Sequence, residues 1–331
     1  MQLNLRGLAS RFARRLYSPP GIFLRELLQN SYDAIQLRKL RDASCGGQIH
    51  VTLDAGHGSI SIMDDGEGMS RSMIEEYFST LGSSGTGEMR AVLGSIGNGG
   101  PPLYGRFGIG LLSAFSVADR VDVHTCYMGA EETWHWMCGP DGEYVLKPGS
   151  RTVAGTVVTV TLNPAYADLL EEETVERIIR EHADFLPVPI FLEQRGPVNT
   201  MRFPWEATAA AALLPWENPM VEFIEHYYRE PVRQVVPVHL CDLHTHGFLF
   251  IAAPSTADLT RETRVDLYQE RMVLRRNVTD LLPQSGCLRG MLECGILHPN
   301  AARDDALRDE PWDKLSEALA GILKDAFSEP L

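Results

Sequence analysis

Between residues 48 and 69 the chain reads QIHVTLDAGHGSISIMDDGEGM, and this alternation constrains the fold more than any other stretch. Ile49, Val51 and Leu53 recur with period two, Gly56 and Gly58 turn the chain, and Ile60 and Ile62 resume the pattern, which predicts a hairpin with one buried face. The preceding segment supplies a cover for that face. RELLQNSYDA, residues 25–34, has helical spacing, with Leu24, Leu28 and Ile35 on one side. Glu26, Asn30 and Asp33 fall within an arc of roughly 60° on the other. Further strand-like patches follow at 120–126, 133–137, 144–146 and 156–162, with turn signals such as GPDG between them, so an antiparallel meander is expected. The fold class this predicts is α+β, a two-layer sandwich with helices on one face of a mostly antiparallel sheet.

Length and composition set the outer limits. With 331 residues, 44% of them apolar, the chain is long enough for about two domains. The stretch 199–218, rich in Ala, Pro and Trp and without a clear period, is the expected connection between a first domain at 1–198 and a second at 219–331. The second domain has strand candidates at 235–243, 248–252 and 264–267, then an amphipathic helix at 312–327 with Leu315, Leu319 and Ile322 on one face. The arginine-bearing start of the chain reads as a first structural helix closed by YSPPG. No apolar run approaches the roughly 18 residues of a membrane span. A formal charge of −14 argues against a nucleic-acid partner, which needs clustered Lys and Arg. The six cysteines form no CxxC pair, and a reducing cytoplasm is the expected compartment.

Three elements carry chemistry. The helical stripe of Glu26, Asn30 and Asp33 aligns polar groups opposite an apolar face, as a ligand site or a solvated surface would. DDGEGM, residues 64–69, sets carboxylates in a glycine turn, where Asp65 is placed to accept a hydrogen bond from a ligand amine, although Asp-Gly turns are also ordinary hairpin ends. The stretch from Gly82 to Gly110 holds ten glycines and ends in G-x-x-G-x-G before the apolar LLSAFSVADRV. A glycine loop entering a helix offers N–H groups and the positive end of the helix dipole to a polyphosphate, and the long stretch before it is lid-like. HLCDLHTHG offers His239, Cys241, His244 and His246, for which a structural role is expected over metal ligation.

In this order the three elements resemble the nucleotide-binding domain of the GHKL (Bergerat-type) ATPases, most closely that of the heat-shock protein 90 chaperones. The segments that carry the resemblance are LYSPPGIFLRELLQNSYDA, DDGEGM, SSGT and YGRFGIGLLSAFSVADRV. It continues through GTVVTVTL at 155, VDLYQERMVLRRNVTDLLP at 265 and LHPNAARDD at 297, and so covers nearly the whole chain. It implies an ATPase with ATP and Mg2+ as ligands. Glu26 would be the general base, Asn30 the magnesium ligand, and Asp33 a residue lining the nucleotide site. Asp65 would receive the adenine amino group, and Gly68, Met69 and Thr156 would complete the base pocket. Ser84, Gly85 and Thr86 match the nucleotide-site SGT segment, while Gly105, Phe107, Gly108 and Gly110 would wrap the phosphates. Arg303, in a partial middle domain, would reach the γ-phosphate.

The sequence departs from the family pattern at Ser83, where Lys or Arg is common, and at Leu111, which replaces an aromatic residue. The resemblance implies an ATP-dependent chaperone acting on client proteins, with dimers expected of a full-length protein and a mainly monomeric state expected of this chain. A nucleotide-gated binding or signalling module with little turnover is the alternative.

Overall fold

The computed structural model describes residues 20–82, 111, 113–139, 143–206, 219–253, 263–283, 287–300 and 304–328. They belong to two compact units, Met1–Met201 and Arg202–Leu331.

In the first unit, α1 (Ile22–Arg41) is followed by the hairpin of β1 (Ile49–Asp54) and β2 (Ser59–Asp64), then α2 (Arg71–Gly82). Next come β3 (Ala118–Cys126), β4 (Thr133–Cys138), β5 (Tyr144–Pro148) and β6 (Gly155–Leu162), and after them α3 (Glu172–Ala183) and β7 (Ile190–Leu192). The strands form one seven-stranded sheet in the order β5-β4-β3-β6-β2-β1-β7. Every pairing is antiparallel except β1 with β7. The architecture is therefore the α+β sandwich that the alternation implies. A plain meander gives way at one point: β6 returns between β3 and β2 instead of extending the edge beyond β5.

The registers sort the residues by face. Val51, Ile62, Val158, Val123 and Trp136 lie in one row across the sheet, and Leu53, Ile60, Val160, Val121 and Cys138 in the next. Most of these are buried, Ile60, Val121, Trp136 and Val160 completely. α1 packs on β1, β2 and β6, with Leu24, Leu28 and Ile35 at 1%, 0% and 0% exposure. α3 lies against α1 so closely that a Cβ on Gly21 would stand 2.8 Å from Ile178 Cδ1. The last turn of α1 carries Arg38, Lys39 and Arg41, cations that suit the negative end of the helix dipole. The opposite face of the sheet carries a more polar row, Thr52, Ser61, Thr159 and Asp122, in which Ser61 Oγ and Thr159 Oγ1 are 2.9 Å apart.

The second unit holds α4 (Pro219–Tyr228), β8 (Val232–Leu240), β9 (Thr245–Ala252), β10 (Arg264–Gln269), β11 (Met272–Val278), β12 (Leu288–Cys294) and α5 (Glu310–Ser328). Its sheet runs β11-β10-β12-β9-β8, with β10 and β12 parallel. Leu315 and Leu319 of α5 are fully buried in a core with Val265, Leu267 and Leu292, and Ile322 packs against it. β8 starts and ends earlier than the sequence suggests, because Cys241–Leu243 forms a 3-10 turn and His244, at φ +45°, reverses the chain.

Leu28 has no exposure and sits between α1 and the sheet, so Leu28→Ala is expected to cost about 2 to 5 kcal/mol by leaving a cavity. Leu40, on the same helix but 83% exposed, should tolerate alanine within about 0.5 kcal/mol. Urea unfolding of the two variants checks the contrast.

Candidate functional site

The site is built where β2 ends against α1. Period two along β2 puts Ile60, Ile62 and Asp64 on the helix-covered face and leaves Met63 on the other, 37% exposed. Asp64 is consequently a buried carboxyl at 5% exposure. Three donors converge on it. Gly66 N donates to Oδ1 over 2.9 Å, Thr156 N of β6 to Oδ1 over 3.2 Å, and Ser31 Oγ of α1 to Oδ2 over 3.3 Å. Arg151 donates to the Asp64 backbone carbonyl over 3.1 Å and brings a cation nearby. Burial outweighs these contacts and pushes the Asp64 carboxyl up to about 7.

Asp65 stands elsewhere. Its Oδ1 accepts from Gln48 N over 2.8 Å and its carbonyl from Arg38 Nη1 over 2.7 Å, and the side chain is half-buried. The expected ligand carboxylate is Asp65, but one step along a strand reverses the face, and the carboxylate that the structure turns inward is Asp64. The signal was present in the sequence. Counting the alternation on from Ile60 and Ile62 reaches 64, whereas 65 follows Met63 outward.

The turn 64–69 is clamped from two sides. Glu67 N donates to Ala34 O of α1 over 3.1 Å, and Arg41 Nη1 holds the Glu67 carboxylate at 2.6 Å. Gly68 has φ +71°, and a Cβ there would lie 1.9 Å from Cys126 O of β3. Met69 N donates to Thr125 Oγ1 over 2.8 Å, and Thr125 Oγ1 is 3.0 Å from Thr156 Oγ1. Gly68, Met69 and Thr156 thus join Asp64 in one buried network. Ser31, Thr125 and Arg151 also belong to it, and the motif reading missed them because each is supplied by a different element.

On α1, Glu26 is 8% exposed, with Arg25 Nε 3.9 Å from its Oε1. Asn30 and Asp33 are half-buried, and Gln29 Nε2 donates to Asp33 Oδ1 over 2.8 Å. The stripe therefore runs along the helix that carries Ser31 to Asp64, and is not a fully solvated face. Ser83, Ser84, Gly85, Thr86, Gly105, Phe107, Gly108, Gly110 and Arg303 lie outside the described residues. In the second unit His239 and His246 face each other across the β8–β9 hairpin with Nδ1 atoms 2.8 Å apart, and Cys241 Sγ is 3.0 Å from His239 Nε2.

Asp64 makes stability depend on pH. A carboxyl moved from 3.8 to about 7 holds its proton more tightly when folded, so its contribution is full below about pH 4 and is lost as pH rises through 7. The full swing is about 4 kcal/mol. Asp64→Asn keeps an acceptor for Gly66 N and Thr156 N without the charge. Its stability relative to the parent should rise by about 2 to 3 kcal/mol between pH 5 and pH 8, and a pH-independent difference in urea unfolding would contradict this burial.

Comparison with known proteins bears on the same residues. Residues 17–147 match the family described as histidine kinase-, DNA gyrase B-, and HSP90-like ATPase. The chain is 30% identical over 335 residues to the chaperone protein HtpG of Roseobacter denitrificans, covering 96% of this chain and 52% of that one. It is 28% identical over 344 residues to the HtpG of Chlorobaculum tepidum, covering 98% and 54%. With the mitochondrial heat shock protein 75 kDa of Bos taurus the identity is 27% over 306 residues, covering 88% and 43%. The chain spans about half the length of the curated relatives it matches.

Proposed function

We propose, for a chain that belongs to the heat-shock protein 90 family and is HtpG-like over most of its length, that it binds ATP against α1 and hydrolyses it in a chaperone cycle. The observation that carries this reading is Asp64. A buried carboxyl with donors already on Oδ1 and a long contact on Oδ2 retains acceptor capacity for an amine, and the exocyclic amino group of adenine is such a donor. Thr156 and Met69, tied to each other through Thr125, are proposed to complete the base site beside it. Binding an amine favours the ionised form of Asp64, so nucleotide affinity should weaken as pH falls below 7.

Glu26 is proposed as the base that takes the proton of the attacking water, one turn before Asn30 on the same stripe. Asn30 presents a half-buried neutral oxygen, and an oxygen donor set of this kind fits Mg2+, which retains waters and substrate phosphates as its other ligands. Bound there, the ion would neutralise phosphate charge. Asp33 and the glycine segment with Gly105, Phe107, Gly108 and Gly110 are proposed to line the nucleotide, and Ser84, Gly85 and Thr86 to close over it. Arg303 is the proposed γ-phosphate contact, because a guanidinium stays charged and grips two oxygens at once. The second unit is assigned to the family's middle domain. Client proteins are the proposed partners, on the strength of the relatives' description as chaperones. The cytoplasm is the proposed compartment, on the strength of the bacterial HtpG relatives; among the described residues no helix is long and apolar enough to cross a membrane.

Calorimetry separates the two acidic neighbours. Asp64→Asn should lower ATP affinity about ten- to hundredfold or more, the worth of a charged hydrogen bond of about 1.5 to 3 kcal/mol. Asp65→Asn should leave it within about twofold, since Gln48 N keeps its acceptor. The reverse ranking would transfer the role to Asp65.

Glu26→Ala should retain nucleotide binding and slow single-turnover hydrolysis by about 10² to 10⁴. Hydrolysis at the parent rate would remove Glu26 from the chemistry. A parent that binds ATP without turning it over would identify a nucleotide-gated binding module instead.

A further inference from the structure

The face of the first sheet turned away from α1 carries a cluster that the nucleotide site does not use. His124 of β3 and His135 of β4 are direct cross-strand partners, and Asp122, two residues before His124, points to the same side. The two imidazole rings stack with centroids 3.7 Å apart and planes 22° from parallel. His135 Nε2 is 2.8 Å from Asp122 Oδ1, and both side chains are nearly buried, at 12% and 11% exposure. One ligand atom from each of the three residues lies within 4.8 Å of the others. We propose that Asp122, His124 and His135 form a binding site for a divalent transition ion of the imidazole-preferring class, zinc in particular.

The plainer reading is an ion-pair cluster. Arg120 forks onto both oxygens of Asp122 at 2.6 Å, and a His–Asp–Arg arrangement satisfies itself. Two features carry the argument past it. The alternation of β3 and β4 sets both imidazoles and the carboxylate on one face, with one ligand atom from each residue within 4.8 Å of the others. Moreover, the bond between His135 and Asp122 already brings two ligand atoms closer than the roughly 3.3 Å edge of a tetrahedral zinc site. Binding replaces the shared proton with the ion and asks the second imidazole to close by up to about 1.5 Å and to turn out of the stack, so that its in-plane lone pair meets the ion. The carboxylate keeps Arg120 as an outer partner, the role such groups play around metal sites. Arg120, and Lys147 opposite His135 on β5, place positive charge beside the ion and weaken the site relative to a neutral surround. Three protein ligands leave a fourth position to water, as in zinc sites that are not closed by protein.

The test is titration of the full chain with Zn(II) against a chromophoric chelator, together with the visible absorption of the Co(II)-loaded protein. One ion per chain is expected, with a tetrahedral Co(II) spectrum lacking a thiolate charge-transfer band. His124→Ala and His135→Ala should each weaken binding at least about tenfold. His246→Ala, in the other histidine cluster, should leave it unchanged. Asp122 is buried and anchors Arg120, so Asp122→Asn can disturb folding, but His124 is only half-buried and its alanine variant keeps the proposal falsifiable, with circular dichroism and ATP binding as folding controls. Absence of Zn(II) binding by the parent, full affinity in folded His124→Ala, or a Co(II) spectrum with a thiolate band would each overturn the proposal.

Discussion

The arrangement around the proposed nucleotide site depends on the burial of one carboxyl. Asp64 is the last residue of β2 and faces α1, so α1, β2 and β6 converge on its two oxygens. A buried polar group without partners costs several kcal/mol, and this one retains acceptor capacity after its three donors are counted. Its upward displacement to about 7 measures how incompletely the donors offset desolvation. Structural ion pairs are usually satisfied more fully. A carboxyl held in a covered position with an unmet acceptor is the arrangement a ligand donor would complete.

Close backbone approach makes this burial possible. A Cβ on Gly66 would meet Ala34 Cβ at 2.6 Å, and one on Gly155, at φ +116°, would meet the Asp64 carbonyl at 2.2 Å. The first glycine lets the turn lie on the helix, and the second lets β6 bring Thr156 N to Oδ1. Larger residues at either position would push the elements apart and leave Asp64 with fewer donors. The glycines of DDGEGM and GTVVTVTL therefore act on the carboxyl through spacing, before any contact with a ligand.

Much of this was legible from pattern. The apolar stripe of α1, the β1–β2 hairpin and the α+β plan followed from periods of 3.6 and 2, because one face of each element must be covered. The second sheet was less legible: β11 and β12 were not separated as strands. β12 is buried at almost every position, so it lacks the alternation that marks a half-exposed strand. The site divided in the same way. Glu26, Asn30 and Asp33 stood out as a stripe on one element, whereas Ser31, Thr125 and Arg151 reach Asp64 or its network only through tertiary packing. Which of the two acidic neighbours turns inward has a specific cause: the glycines mark the turn at DDGEGM, while the orientation of its carboxylates is set by the strand before it.

The same alternation separates the two clusters of the first unit. Thr125 of β3 belongs to the network of Asp64, and His124 beside it belongs to the opposite face with Asp122 and His135. Adjacent residues thus serve sites on two sides of one strand, with no side chain shared between them. An ion on the outer face would draw Asp122 and His124 toward His135, and that pull reaches Thr125 only through the β3 backbone, which β4 and β6 hold in register on both sides from residue 121 to 126. A strand paired on both edges resists displacement along the sheet normal less than sliding within the sheet, since sliding breaks its ladder of hydrogen bonds. Coupling between the faces, where it exists, would therefore take the form of a small change in how far Thr125 projects toward Met69 N, leaving the strand register intact.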